Sequence, residues 1–122
     1  MLEDAVVIWL TTVTAGGRPQ SSPVWFVFEG GEFEIYSLAD TARVRNIAGN
    51  PMVSLNLDSD EGSDVVAVEG VARMTDGPSS LDHAAYQEKY HRHIVDLGYT
   101  PEQFAAAYPA SVRIAPLRWR VY

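Results

Sequence analysis

Apolar and polar positions along the chain repeat with two periods and divide it into six extended stretches and three helices. "AVVIWLTTVT" (5–14) is apolar and β-branched and predicts a strand, followed by turn residues in "AGGRPQ" (15–20). "SSPVWFVF" (21–28) predicts a second strand, "EGGE" (29–32) a hairpin turn, and "FEIYSL" (33–38) a third strand. In 52–58, Val53, Leu55 and Leu57 alternate with Ser54, Asn56 and Asp58, the pattern of a strand with one wet face. After a polar loop at 59–63, "DVVAVEGVARMT" (64–75) predicts a long strand with a bend or bulge at Gly70. The last strand, 111–122, changes phase at Pro116: Val112 and Ile114 are even, whereas Leu117, Trp119 and Val121 are odd. A bulge or bend there accounts for the slip.

Helical spacing appears in three places. The first helix starts at Asp40 or Thr41, carries Val44, Ile47 and Ala48 as an apolar stripe, closes at Gly49 and stops at Pro51. The second, 79–94, is capped by Ser79 or Ser80 and repeats Leu81, Ala85, Tyr86, Tyr90 and Ile94. The third, 100–108, has Thr100 as N-cap, Pro101 at the first helical position and Gln103 two residues later, a capping box.

Hairpin-linked strands imply an antiparallel sheet, and strands apolar on both faces favour one that curls into a barrel. The fold class is therefore mainly β, a six-stranded barrel with α-helices. In the second strand Trp25 and Val27 point one way and Val24, Phe26 and Phe28 the other. One face fits a barrel core. The other needs a cover: a helix, a second subunit or a flat aromatic ligand.

Composition narrows the partners. The 122 residues fit one domain, 1–122, and the net charge of −7 argues against nucleic acid and anionic membrane surfaces. The chain has no cysteine, which excludes thiolate catalysis and fits a reducing compartment. No apolar run reaches the length of a membrane helix, and acidic Glu3 and Asp4 stand where a signal peptide is basic. The expectation is a soluble, cytoplasmic protein.

Few residues suggest chemistry. His83, His91 and His93 share a helix with Glu88, but no pair has the four-residue spacing that puts two zinc ligands on one face; they read as surface histidines, and no metal is expected. No serine lies in a nucleophile elbow, and Gly16-Gly17-Arg18 is a hairpin rather than a phosphate loop. Arg43 and Arg45 remain, at a helix start whose dipole and free N–H groups repel cations. An anion beyond the helix start would gain from the N–H groups and a guanidinium together. The two arginines lie about 200° apart around the helix, so one anion takes only one of them. Alternatively, both are solvated or pair with nearby acids.

The run "YSLADTARVRNIAGNP" (36–51) resembles the flavin-phosphate segment of the pyridoxamine 5′-phosphate oxidase-like split β-barrels, matching at Tyr36, Ser37, Thr41, Ile47, Asn50 and Pro51. "WLTTVTAGGRPQSSPVWF" (9–26) is similar to the first hairpin of that family. The details look most like small actinobacterial members that use the deazaflavin coenzyme F420. Where the FMN-binding pattern has adjacent Arg and Lys, this chain has Ala42-Arg43, one cation fewer. FMN ends in a phosphate monoester with nearly two charges, whereas F420 carries a singly charged diester.

The resemblance implies that Arg43 and Thr41 hold the phosphate, with Ser37 and Leu38 lining its approach. It implies that Pro23, Val24, Trp25 and Phe26 run along the ring system, and that Asn46 and Arg45 occupy family-typical positions. It further implies a homodimer with the cofactor between subunits, Trp119 contributing from the partner, and hydride transfer between the reduced cofactor and a small electron-poor acceptor. The alternatives are an FMN flavoprotein on the same barrel and a protein that binds cofactor or haem without turnover.

Overall fold

The computed structural model describes residues 2–58 and 65–122. The order of elements is β1 (Ile8–Val13), β2 (Pro19–Val24), β3 (Val27–Glu29), β4 (Glu32–Ser37), α1 (Ala42–Gly49), β5 (Met52–Asp58), β6 (Val65–Thr75), α2 (Ala84–Asp96), α3 (Pro101–Ala107) and β7 (Ala110–Val121). The strands form one antiparallel sheet in the order β2-β1-β5-β6-β7-β4-β3. β2 and β3 are its opposite edges, yet only Trp25 and Phe26 separate them in sequence. Three residue steps span roughly 11 Å at most, so the sheet must curl until its edges nearly meet. The result is a half-barrel with three helices.

Among the described residues there are thus seven strands, not six. The stretch expected as one strand over 21–28 breaks at Trp25-Phe26, because α2 takes the peptide groups a ladder would have used. The Phe26 N–H donates to Tyr90 Oη at 2.9 Å, and Lys89 Nζ donates to the Phe26 carbonyl at 2.9 Å. The side-chain alternation nevertheless survives the break for four residues. Val24 and Phe26 enter the barrel core with Leu10, Phe33, Leu55 and Ile114, while Trp25 and Val27 join Tyr36, Tyr86, Tyr90, Ile94 and Phe104 under α2 and α3. The cover anticipated for the second apolar face is a helical layer.

The phase change at Pro116 and the bend at Gly70 are one feature. Glu69 pairs with Arg118 and Gly70 with Pro116, so β7 carries one extra residue, Leu117. A Cβ on Gly70 would lie 2.7 Å from Ile114 Cγ2 and 2.9 Å from the Ala115 carbonyl oxygen, which explains the glycine.

Thr41 is the N-cap of α1, accepting from the Val44 N–H, and Asn50 closes it by donating its N–H to the Asn46 carbonyl. Ile47 is its buried residue; Ala48 is exposed, so the stripe is narrower than expected. The capping box of α3 forms between Thr100 and Gln103. α2 begins five residues later than expected. His83, rather than Ser79 or Ser80, is its N-cap, and Leu81 lies outside the helix and is exposed. The expected loop at 59–63 lies outside the described residues. Among those described, no helix is long and apolar enough to cross a membrane.

Candidate functional site

α1 is tied down before it presents anything. Asn46 Nδ2 donates to Thr12 Oγ1 at 3.0 Å and to Gln20 Oε1 at 2.9 Å, which docks the helix on β1 and the start of β2. From that base the two arginines separate. Arg45 pairs with Asp40 at 2.6 Å, both widely exposed. Arg43 turns inward, its Nη1 donating to Ser37 Oγ at 3.0 Å and its Nε and Nη2 reaching Ser22 Oγ at 3.4 and 3.3 Å. Among the described residues no carboxylate pairs with it. Two neutral serines leave its charge uncompensated and some of its five N–H donors free.

The Arg43 guanidinium stands between two hollows. One is a cleft of about 350 Å³ walled by Pro23, Val24, Trp25, Leu38, Leu97 and Phe104 and by Tyr36, Tyr86 and Tyr108. The other is a recess of about 150 Å³ lined by Thr12, Gln20, Ser21, Ser22, Thr41 and Ala42. Arg43 borders both and, among the described residues, is the one charged side chain on either wall. The recess also faces the start of α1, where the N–H groups of Ala42 and Arg43 have no intrahelical partner. A larger hollow of about 1060 Å³ lies along the Ala85–His93 side of α2. It is lined by Glu3, Asp4 and Glu88 against Lys89, so its field disfavours anions.

The aromatic wall is a run of stacked rings. Trp25 stacks on Tyr90 with centroids 4.9 Å apart and on Phe104 at 5.6 Å, and Phe104 stacks on Tyr108 at 4.5 Å. Tyr90 clamps the β2–β3 break, receiving the Phe26 N–H while its own proton reaches the Val6 carbonyl at 2.7 Å. Behind Tyr36 lies a buried polar group. Glu34, on the β4 face turned toward α2, receives bonds from His83 Nε2 at 2.9 Å, Tyr36 Oη at 3.1 Å and Ser111 Oγ at 3.3 Å, with Arg113 Nη1 at 3.6 Å. Burial, with the Glu34 carboxylate beside it, raises the Tyr36 phenol well above its usual range, so it remains protonated.

Of the residues singled out in the sequence, Pro23, Val24, Trp25, Leu38 and Arg43 line the cleft, Thr41 and Arg43 line the recess, and Ser37 holds Arg43. Thr41 contributes as the cap, its hydroxyl occupied by the Val44 N–H. Phe26 and Asn46 do not reach either hollow: Phe26 is buried in the barrel core, and Asn46 is spent on docking α1. Sequence reasoning missed Ser22, Tyr86, Leu97, Phe104 and Tyr108. Tyr86 and Phe104 carried a helical-face signal only, indistinguishable from core. The histidines differ from expectation too: His83 is buried, and His93 packs edge-on against Trp25 and Tyr90. Only His91 is fully on the surface.

A curled antiparallel sheet backed by helices, with a cation at a helix start beside an aromatic cleft, defines a protein of the split-barrel class. The sequence model described as "Pyridoxamine 5′-phosphate oxidase" matches residues 1–122, and the chain belongs to that family. Among solved structures it is similar to an F420 reductase, at 21% identity over 98% of this chain and 92% of that one, with a TM-score of 0.76. A conserved hypothetical protein from Mycobacterium tuberculosis gives 22% identity, 98% and 78% coverage and a TM-score of 0.80. HutZ, the heme storage protein from Vibrio cholerae, gives 20% identity, 96% and 84% coverage and a TM-score of 0.67. These likenesses establish the shared fold.

Proposed function

We propose that this protein is an F420-dependent oxidoreductase that passes a hydride between the reduced deazaflavin and a small, electron-poor acceptor. The observation that carries the reading is the solitary charge of Arg43. One guanidinium and two free helix N–H groups suit a singly charged phosphodiester, whereas a monoester with nearly two charges calls for a second cation. Arg45, the obvious source of that cation, is paired with Asp40. The likeness to an F420 reductase supports the reading at the level of fold.

The chain's residues have simple tasks in this reading. Arg43 and the first-turn N–H groups hold the phosphate, and Ser22 and Ser37 aim the guanidinium. Thr41 and Asn46 fix the helix that presents it. Pro23, Val24 and Trp25 flank the ring, and the apolar walls exclude water. The bound coenzyme supplies the hydride-transfer chemistry, and the protein supplies binding and orientation. Among the described residues no carboxylate or histidine lines the cleft, and hydride transfer does not require one, since solvent can supply a proton.

The active form is a homodimer in the cytoplasm with the cofactor between subunits. Exposed Trp9, Leu117, Val121 and Tyr122 support a partner surface, and the absence of cysteine is compatible with a reducing compartment. The test is a titration of the purified chain with F420 and with FMN, followed by absorbance and fluorescence. F420 is expected to bind at least tenfold tighter and to re-oxidise, from its reduced form, in the presence of a quinone. Preference for FMN would instead make the protein a flavoprotein, and tight binding with no turnover of any acceptor would make it a carrier.

A further inference from the structure

Among the described residues, three buried side-chain atoms lack a hydrogen-bond partner: Ser80 Oγ, His93 Nδ1 and Tyr86 Oη. Of these, Tyr86 alone belongs to the wall of the cleft that Arg43 borders. Its side chain is fully buried and held from several sides. The ring meets Tyr36 edge-on at 4.8 Å and Tyr90 at 4.9 Å, and the Tyr86 N–H donates to His83 Nδ1, fixing the residue in the first turn of α2. The hydroxyl therefore cannot swing away to find a partner.

Burial, followed by the neighbouring phenols of Tyr90, Tyr36 and Tyr108, raises the Tyr86 phenol far above its usual range. It stays a neutral hydroxyl with a proton to donate. Two of those neighbours, Tyr36 and Tyr108, line the same cleft. A buried, unpaired hydroxyl is less favourable in a folded protein than the phenylalanine that would fill the same space, so its presence calls for a partner from outside the chain.

We propose that Tyr86 is a ligand-binding residue whose hydroxyl donates a hydrogen bond to a carbonyl oxygen on a flat, conjugated ring held in the cleft. The surroundings select that chemistry. Flat aromatic and aliphatic walls take a planar ring, and about 350 Å³ fits a single ring system. Among the described residues the one cation on the cleft wall is Arg43, and at the Tyr86 hydroxyl a neutral carbonyl needs just the one donor on offer. The inference rests on the oxidoreductase reading, which supplies two such rings: that of the deazaflavin and that of a quinone-like acceptor.

The test compares the full-length wild-type chain with Tyr86→Phe, using coenzyme F420 and a naphthoquinone as probes. Dissociation constants come from quenching of tryptophan fluorescence, and Tm from thermal unfolding. The expected result is a Tm equal to or above wild type, with binding of one probe weakened about five- to tenfold. Weaker F420 binding with unchanged quinone binding identifies the coenzyme ring as the acceptor, and the reverse identifies the substrate. A lower Tm with both affinities unchanged would overturn the inference, because the hydroxyl would then have an internal or water partner. If Arg43→Ala weakens F420 binding while Tyr86→Phe affects neither probe, the inference fails and the oxidoreductase reading stands. A wild-type chain that binds neither probe removes both.

Discussion

His83 Nε2 lies 2.9 Å from the buried Glu34 carboxylate, while its Nδ1 accepts the Tyr86 N–H. The acceptor role of Nδ1 means that Nε2 carries the proton and donates it, so one imidazole both caps α2 and satisfies an acid on β4. Removing it leaves a helix without a cap and a buried carboxylate short of a partner. His83→Ala is expected to cost about 2–4 kcal/mol, read from urea unfolding. His83→Asn, which can still cap, recovers part of the loss. A cost below about 1 kcal/mol would mean that water replaces the ring freely.

Arg43 and Arg45 separate binding from surface charge. Arg43→Ala is expected to weaken F420 binding roughly ten- to a hundredfold, the loss of charge-assisted bonds to a phosphate. Arg45→Ala disturbs only an exposed pair with Asp40 and is expected to change affinity by less than about threefold. Equal, small effects in fluorescence titrations of the two variants would remove the anion-site reading.

Gly70 has no room for a side chain. In Gly70→Val the new atoms meet Ile114 and the Ala115 backbone inside the bulge, so a loss of about 1–3 kcal/mol is expected by denaturant unfolding. Gly49→Ala is the control: a Cβ there meets nothing within 4 Å, and its φ is unexceptional. The control is expected to be neutral or mildly stabilising.

The alkaline limb of the stability curve has two opposed parts. Burial pushes the Lys89 ammonium down from 10.5 to about 8, so within that window the unfolded chain binds more protons and stability rises with pH. Burial also pushes Tyr90 up from 10.0 to about 12 and raises Tyr36 and Tyr86, so above about pH 10 the folded chain keeps protons that the unfolded chain loses. Stability then falls. Melting temperature is expected to rise from about pH 8 and peak near pH 10, and Lys89→Met is expected to remove the rise but keep the fall.

The proposed dimer makes a separate prediction. Trp9 is half exposed on the outer face of β1, and Val121 is more exposed still at the end of β7. Light scattering at micromolar concentration is expected to give twice the chain mass. Trp9→Glu with Val121→Glu is expected to give a folded monomer that binds F420 more weakly, and a wild-type monomer would count against a shared site.

The sequence by itself determined whatever depends on near neighbours. A cap for α1 at Asp40 or Thr41, the Thr100–Gln103 capping box and the alternation in 52–58 are set by contacts within a turn or a strand pair, so residue type and spacing suffice for them, while the choice of Thr41 came from the structure. Gly70 and Pro116 each marked the bulge, although their pairing was invisible until β6 and β7 were side by side. Tertiary structure alone decided three other things. It broke the second strand at Trp25-Phe26, because Tyr90 and Lys89 from distant α2 took its peptide groups. It buried His83, which looked like a surface histidine, against an acid 49 residues away. It also sorted Arg43 from Arg45: the two share one local pattern, and their difference lies in which serines and which carboxylate the curled sheet and the chain before α1 bring within reach. A side chain's partner, unlike its helix or strand, is fixed by what the rest of the fold puts beside it.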